Sequence, residues 1–200
     1  LILASSFSTM AYGKDTDGKW SQKLIEKLGE VNVTKPDIAK NHVSKNITLT
    51  PDPKDFKSIK IDVSMGSIKV AKADDGKFKI DSVVNVKAIN ADTAKTALGE
   101  LETGYELKNK DGGKDKELVL KTYMDGNKKD AGYAFSKKYN TNSSNSNYAY
   151  YYVDYTVYVP ENMSFNYDLD TSIGSIEING VKGEFDVDVS TGEIIVTGCE

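Results

Sequence analysis

Two pairs of aspartates are the residues of this 200-residue chain whose spacing most resembles a chemical site. Asp168 and Asp170 recur as Asp186 and Asp188, each 18 residues further along the chain. Carboxylates that lie close together raise one another's pKa, and carboxylate oxygens are the ligands that Ca²⁺ prefers. A polysaccharide-active enzyme built on a β-helix is therefore one hypothesis for this chain.

The surroundings of these aspartates favour a simpler interpretation. They alternate with apolar residues, so their side chains point to solvent, and an earlier segment carries Lys60 and Asp62 at the same positions. The chain contains no arginine, the fixed planar cation that a polysaccharide-cleaving site would use. We therefore expect no catalytic residue, no metal site and no cofactor, and an enzyme is the less favoured alternative.

Single residues and the charge balance exclude several other kinds of site. His42 is the only histidine and Cys199 the only cysteine, so a multi-histidine metal cluster and an intrachain disulfide cannot form. The net charge is −4 and all 26 basic residues are lysines. Bidentate recognition of phosphate and guanine relies on arginine, so we expect no nucleic-acid partner.

The aspartates belong to a repeat that occurs three times. The segment "DTSIGSIEI" at 170–178 recurs 18 residues later, and "DVSMGSIKV" at 62–70 is an earlier version of it. We call the segments 58–72, 166–180 and 184–198 repeat 1, repeat 2 and repeat 3. A fixed period is typical of architectures in which each repeat buries its apolar face against a neighbour.

Each repeat predicts two strands joined by a corner. Apolar residues alternate with polar ones, and the apolar positions change from odd to even numbers at Gly66, Gly174 and Gly192. A strand that keeps its direction cannot change parity, so the chain must turn there. Glycine suits a corner because it adopts positive φ without steric cost, and we interpret these three as structural corner glycines.

The repeats predict a mainly β fold. We expect a β-solenoid-like stack of parallel rungs with an 18-residue repeat, in which Ile176 lies beside Ile194 and Ile178 beside Val196. The alternative is a β-sandwich in which similar hairpins pair antiparallel. Between repeats 1 and 2, residues 90–104 predict a helix, residues 105–123 a hairpin and residues 125–147 a polar loop.

Composition divides the chain into three parts. Residues 1–13 resemble the remnant of a signal peptide that ends in small residues. Residues 14–55 form a polar segment with a short amphipathic helix at 21–28. Residues 56–200 are the β domain, which we expect to be truncated at its C-terminus because a solenoid needs a polar cap.

One strand offers a candidate contact surface. In "YAYYYVDYTVYVP" at 148–160, the residues Tyr150, Tyr152 and Tyr158 share one face and predict an exposed contact face for a sugar or a protein. The alternative is that these tyrosines are strand-forming residues that cover a sheet.

The segment "YTVYVPENMSFNYDLDTSIGSIEINGVKGEFDVDVSTGEIIV" resembles the bacterial putative adhesin domain family, as do "SIKIDVSMGSIKV" and the helix and hairpin that follow it. The resemblance covers roughly residues 56–200. It implies a β-solenoid-like domain of unknown function on secreted or envelope-associated bacterial proteins, without known enzymatic activity.

These observations lead to one expected function and one main alternative. We expect a non-enzymatic module, secreted or in the cell envelope of a bacterium, that is adhesive or binds a protein or glycan at the cell surface. The N-terminus would bring it close to the membrane. The alternative is a structural or regulatory envelope protein.

Overall fold

The computed structural model describes residues 41–110, 113–124, 127–139 and 148–200. The predictions of a signal-peptide remnant at 1–13 and a helix at 21–28 lie outside these residues. The described strands are β1 (Asn41–Leu49), β2 (Ser58–Val63), β3 (Ile68–Lys72), β4 (Lys79–Ala88), β5 (Leu101–Asn109), β6 (Lys116–Met124), β7 (Asn127–Asp130), β8 (Ala149–Val159), β9 (Ser164–Asn179) and β10 (Lys182–Thr197). The described helices are α1 (Ala91–Glu100), α2 (Ala131–Tyr139) and a 3-10 turn at Pro53–Asp55.

The three repeats lie side by side and run parallel. The first half of β9 pairs with β2 and its second half with β3, while β10 pairs with the other edge of β9 along its length. Ile176 is thus the partner of Ile68 on one side and of Ile194 on the other. Repeats 2 and 3 pair at the register that their 18-residue spacing predicts.

The other strands extend the sheet on the far side of repeat 1, partly in antiparallel pairs. The strand order is β1-β4-β8-β3-β9-β2-β6-β5, with β10 on β9 and β7 on β6. β1 and β4, β4 and β8, and β5 and β6 pair antiparallel. The mainly β fold is therefore confirmed, but an architecture of parallel rungs throughout is not what the described residues show.

Only repeat 1 is divided into two strands, as the sequence predicts for every repeat; β9 and β10 run through Gly174 and Gly192 without a break. The backbones approach one another closely at these glycines. A β-carbon on Gly66 would lie 1.9 Å from the carbonyl oxygen of Val153, and one on Gly192 would lie 1.5 Å from that of Gly174. The φ angle of Gly66 is 133°, which side chains rarely tolerate. The buried hydroxyl of Thr171 donates a 2.9 Å hydrogen bond to the carbonyl oxygen of Gly66 and ties repeat 2 to repeat 1 at this corner.

The core lies on the inner side of the repeats. The buried positions change from odd to even numbers at Gly174, as the sequence predicts. Leu169 and Thr171 are buried before this glycine, and Ile176 and Ile178 are buried after it. Close-packed rings fill the space beside the first halves of the repeats. These rings are Phe56, Phe78, Phe165, Tyr167 and Phe185.

The insertion between repeats 1 and 2 is more structured than the sequence predicts. Helix α1 begins after Asn90, whose side chain accepts a 2.7 Å hydrogen bond from the backbone of Thr93, and ends before β5. The hairpin is formed by β5 and β6. The segment 125–147, predicted as a polar loop, contains β7 and α2, and Phe135 of α2 packs 4.8 Å from the ring of Tyr151.

The segment before repeat 1 also contributes to the sheet. The sequence predicts that the β domain starts at residue 56, whereas residues 41–49 form strand β1 and pair with β4. Within the residues described, neither helix has the length and apolar content needed to cross a membrane.

Candidate contact face

The predicted tyrosine face is the outer side of β8, and β4 supplies its neighbours. The antiparallel register sets Tyr150 opposite Lys87 and Tyr158 opposite Lys79. Tyr150, Tyr152 and Tyr158 are half-buried, whereas the opposite side of β8 is buried in the core. Each ring therefore presents part of its surface to solvent from a fixed strand position.

Tyr152 lies among side chains from three strands. The imidazole of His42 on β1 is stacked nearly parallel to the phenol ring, with centroids 6.2 Å apart. The ammonium group of Lys87 lies 5.7 Å from the centroid of the same ring. At this distance the cation is attracted to the electron-rich face of the ring, so these contacts restrict the orientation of Tyr152.

A hydrogen-bonded chain fixes the strands beneath these rings. Nε2 of His42 donates to Oδ1 of Asn85 over 3.0 Å, and Nδ2 of Asn85 donates to Oδ2 of Asp154 over 3.1 Å. The other carboxylate oxygen of Asp154 accepts a 2.9 Å hydrogen bond from the backbone of Ser67 at the corner of repeat 1. These hydrogen bonds join β1, β4, β8 and the turn between β2 and β3, and Asn85 at their centre is buried.

Tyr158 lies at the other end of the face beside a second cation. Nζ of Lys79 is 4.4 Å from the ring centroid and 3.4 Å from the carboxylate of Asp81. Asp81 in turn accepts a 2.7 Å hydrogen bond from the hydroxyl of Thr48. The cation is therefore positioned by both the ring and the carboxylate.

We call the surface formed by His42, Lys79, Lys87, Tyr150, Tyr152 and Tyr158 the contact face. It combines aromatic surface, ammonium donors and an imidazole on the outside of a sheet. Such a surface can stack on apolar faces of a ligand and donate hydrogen bonds to its oxygens. The sequence prediction contained the tyrosines but not the histidine and the lysines, because their proximity depends on how β1, β4 and β8 pair.

The predicted aspartates lie in rows across the parallel strands. Asp170 pairs laterally with Asp62 on one side and with Asp188 on the other. Desolvation, followed by the charges of Asp62 and Asp188, raises the pKa of Asp170. Asp168 is different because it forms an ion pair with Lys60. Among the described residues, no group of three or more His, Cys, Asp and Glu side chains could hold a metal ion.

A surface pocket of about 640 Å³ lies between the turn after β3 and the turn after β8. Its polar lining includes Lys72 and Glu161, which form a 2.8 Å ion pair. The hydrogen bond and charge of Lys72 lower the pKa of Glu161, so this carboxylate carries no proton to donate at neutral pH. The pocket is lined by Lys72, Ala73, Asp74, Gly76, Pro160, Glu161 and Asn162.

The chain is similar to solved structures only at low sequence identity. No protein-family model matches the sequence, and no curated protein matches it. A structure described as a putative adhesin from Bacteroides fragilis is 14% identical, with a TM-score of 0.36, and the match covers 80% of this chain and 56% of that one. A putative cell adhesion protein from Clostridium sporogenes is 13% identical, with a TM-score of 0.35, and the match covers 74% of this chain and 58% of that one. The chain thus spans little more than half the length of these two proteins.

Proposed function

We propose that this chain is a non-enzymatic binding module of the bacterial envelope, and that it holds a protein or glycan at the cell surface through the contact face. The observation that carries the proposal is the fixed arrangement of rings and cations on β1, β4 and β8. A binding surface gains affinity when its side chains are ordered before the partner arrives, because less conformational entropy is lost on binding.

Three contacts account for this ordering. The His42 ring and the Lys87 ammonium both lie next to the Tyr152 ring, and the Lys79 ammonium lies next to the Tyr158 ring. The rings are half-buried, so their outer surfaces stay accessible while their positions are restricted. Aromatic residues with few rotatable bonds are the side chains that contribute most to binding energy at contact surfaces.

A binding role explains the carboxylates better than catalysis does. Asp170 is flanked by further carboxylates, and Asp168 and Glu161 are each paired with a lysine. A general acid–base pair needs two groups whose surroundings drive their pKa values in opposite directions at one substrate position. The row of Asp62, Asp170 and Asp188 instead repeats the same residue type across the sheet, as in a solvated face.

Repeats 1, 2 and 3 would serve as the rigid support of this face. Their parallel register and the close backbone approach at the corner glycines support the view that they form a short β-solenoid-like stack. The resemblance of residues 56–200 to the bacterial putative adhesin domain family supports a secreted or envelope-associated location.

A binding assay with matched tyrosine variants tests the contact face. The purified chain would be applied to surfaces coated with alginate, a carboxylated polysaccharide, or dextran, a neutral one, and to a panel of surface glycans and matrix proteins. We expect saturable binding to at least one of these surfaces. The Tyr152→Ala/Tyr158→Ala variant should bind the same surface with an affinity that is lower by about tenfold or more. Tyr133→Ala is the control, because Tyr133 on α2 is 80% exposed and lies outside the contact face.

The location is tested by antibody labelling of intact and permeabilised cells that produce the protein. Labelling of intact cells is the expected result. Labelling only after permeabilisation would contradict the proposed location. Equal binding by the double variant and the parent would contradict the contact face. Either result would favour the structural or regulatory alternative.

A further inference from the structure

The two lysines of the contact face differ in their surroundings, although both lie on the outer side of β4 beside a tyrosine of β8. Nζ of Lys79 lies 4.4 Å from the ring centroid of Tyr158 and 3.4 Å from the carboxylate of Asp81, which offsets its charge. Nζ of Lys87 lies 5.7 Å from the ring centroid of Tyr152, and within the described residues it forms no ion pair. The uncompensated positive charge of the face is therefore at one end.

The neighbours of Lys87 supply no negative charge. Its lateral partners are His42 on β1 and Tyr150 on β8. The carboxylate on the outer side of β8, Asp154, accepts hydrogen bonds from Asn85 and from the turn between β2 and β3, so both of its oxygens are in use. An ammonium group without a carboxylate partner, beside an exposed imidazole, attracts an anionic group of a ligand.

This attraction is local to one part of the surface. With a net charge of −4, the chain as a whole repels anions. We call the part of the contact face formed by His42, Lys87, Tyr150 and Tyr152 its cationic end. Lysine presents a point charge and not the planar fork of arginine, so the cationic end recognises the charge of a ligand more than the geometry of its anionic group. Carboxylate and sulfate groups both fit it.

The aromatic surface extends beyond the cationic end. Tyr152 and Tyr158 are separated along β8 by about 20 Å, from the rise of an extended strand. At the far end, Tyr158 lies beside the ion pair of Lys79 and Asp81, whose charges cancel. A ligand that contacts both rings is therefore longer than one or two sugar rings, and it needs an anionic group at one end only.

A ligand that lies on these rings meets the face of the sheet and not an edge. Strand backbones form hydrogen bonds within the plane of the sheet, and β4 is paired along its length with β1 on one side and β8 on the other. An extended peptide gains affinity mainly from backbone hydrogen bonds to a strand edge, which this face does not offer.

A polysaccharide needs no strand edge. Its rings stack on aromatic side chains, and its hydroxyl groups form hydrogen bonds with polar side chains. The exposed side chains of Ser44, Asn46 and Thr48 on β1 supply such polar groups beside the rings. The surface thus matches a glycan better than a peptide.

We propose that the contact face binds an acidic polysaccharide, with an anionic group of the glycan at Lys87 and its rings stacked along Tyr152 and Tyr158. This inference rests on the proposed function and narrows its ligand to one chemical class. The face prefers polysaccharides that carry an anionic group over neutral ones, and the preference originates at Lys87 more than at Lys79.

Alginate and its fully esterified propylene glycol derivative are suitable probes, because they share one backbone and differ in the charge of the carboxyl group. Binding of the 200-residue chain to each, immobilised on a sensor, would be measured at physiological ionic strength. We expect saturable binding to alginate and an affinity for the neutral ester that is lower by about tenfold or more. Polyglutamate and oligothymidylate should compete less well than soluble alginate at equal charge, because they carry anions without pyranose rings.

Matched lysine variants locate the anionic group. Lys87→Gln should lower the affinity for alginate by about tenfold, and Lys79→Gln should lower it by less than about threefold, because Asp81 already offsets the charge of Lys79. Asp81→Asn should raise the affinity, because it leaves the charge of Lys79 uncompensated. Lys57→Gln is the control, since Lys57 is exposed and lies outside the contact face.

The inference is overturned if alginate does not bind, if the ester binds as tightly as alginate, or if Lys87→Gln and Lys79→Gln have equal effects. Stronger competition by polyglutamate or oligothymidylate than by soluble alginate would overturn it in favour of an acidic protein or a nucleic acid. Binding of a neutral glycan or a protein alone, lost in Tyr152→Ala/Tyr158→Ala, would overturn it and leave the proposed function intact. If that double variant binds every surface as the parent does, the proposed function fails as well.

Discussion

The carbonyl oxygen of Gly66 occupies the space that a β-carbon of Gly174 would need, since the two atoms would be only 1.8 Å apart. No pair of non-bonded heavy atoms approaches so closely. The stacking of repeat 2 on repeat 1 therefore depends on the absence of a side chain at Gly174, in addition to any preference of its backbone angles.

Replacing Gly174 tests this dependence. Gly174→Ala should destabilise the chain by roughly 3 kcal/mol or more, because the clash is with backbone that cannot move without disturbing the pairing of β9. Urea denaturation measures the change. Gly99→Ala is the control, because nothing lies within 4 Å of a β-carbon at this position in α1, and alanine there should stabilise the helix by about 0.5–1 kcal/mol. Equal stability of the two variants would refute the steric argument.

The pairing of Ile176 with Ile194 permits a second comparison, because one side chain is buried and its lateral partner is not. Ile176→Asp should lower the stability of the fold by about 3–5 kcal/mol, because the carboxylate would be buried without a partner. Ile194→Asp should cost about 1 kcal/mol or less, because water reaches this position. Thermal melts of both variants measure the difference, and similar losses would show that β10 is covered in solution.

Two buried tyrosines of the core predict opposite responses to loss of the hydroxyl. Among the described residues, the buried hydroxyl of Tyr167 has no hydrogen-bond partner, whereas that of Tyr155 lies 3.3 Å from the hydroxyl of Thr122. Tyr167→Phe should therefore leave stability unchanged or raise it by about 1 kcal/mol, because an unsatisfied polar atom leaves the core. Tyr155→Phe should lower stability by about 1 kcal/mol. Chemical denaturation of both variants tests this order. A larger loss of stability for Tyr167→Phe than for Tyr155→Phe would contradict it.

The aspartate row predicts a dependence of stability on pH. Desolvation and the neighbouring charges of Asp62 and Asp188 raise the pKa of Asp170 in the folded chain. A raised folded pKa means that Asp170 contributes stability below its unfolded pKa, and that this contribution is lost as the pH rises through the folded pKa.

Asp170→Asn should therefore raise the melting temperature at neutral pH, and its advantage should shrink as the pH falls through the raised pKa of Asp170, above the ordinary aspartate value of about 3.9. Glu193→Gln is the control, because its lateral partner is Ser175 rather than a carboxylate. A variant that is less stable than the parent at neutral pH would show that Asp170 has a stabilising role in the row.

The repeats could be predicted from the sequence because their signal is local and redundant. The change of apolar parity at Gly174 recurs at Gly192, and a shift of one residue would have exposed every inner side chain. The register of Ile176 with Ile194 follows directly from that pattern. The antiparallel part of the sheet has no repeated pattern, so its pairing could not be predicted in this way.

Strand β1 shows why the sequence signal failed there. Its inner positions include Val43 and Ile47, but also Lys45, whose ammonium donates to the backbone carbonyl of Leu101. Burial lowers the pKa of Lys45. A lysine on the inner face breaks the alternation of apolar and polar residues by which a strand is recognised.

The composition of the contact face escaped prediction for the same reason. His42 lies on β1, and its proximity to Tyr152 exists only once β1, β4 and β8 have paired. The tyrosines themselves were predictable, because alternation along one strand determines which side chains share a face.

The ion pair between Lys60 and Asp168 joins residues that are 108 positions apart, as does the one between Lys69 and Glu177. Repeats 2 and 3 are neighbours in the chain and can pair as soon as both have been synthesised. Repeat 1 leaves the ribosome long before its partner, and closing so long a loop costs entropy that later contacts must offset. In refolding of the full chain we therefore expect the C-terminal pair to form early and its union with repeat 1 to be the slower step.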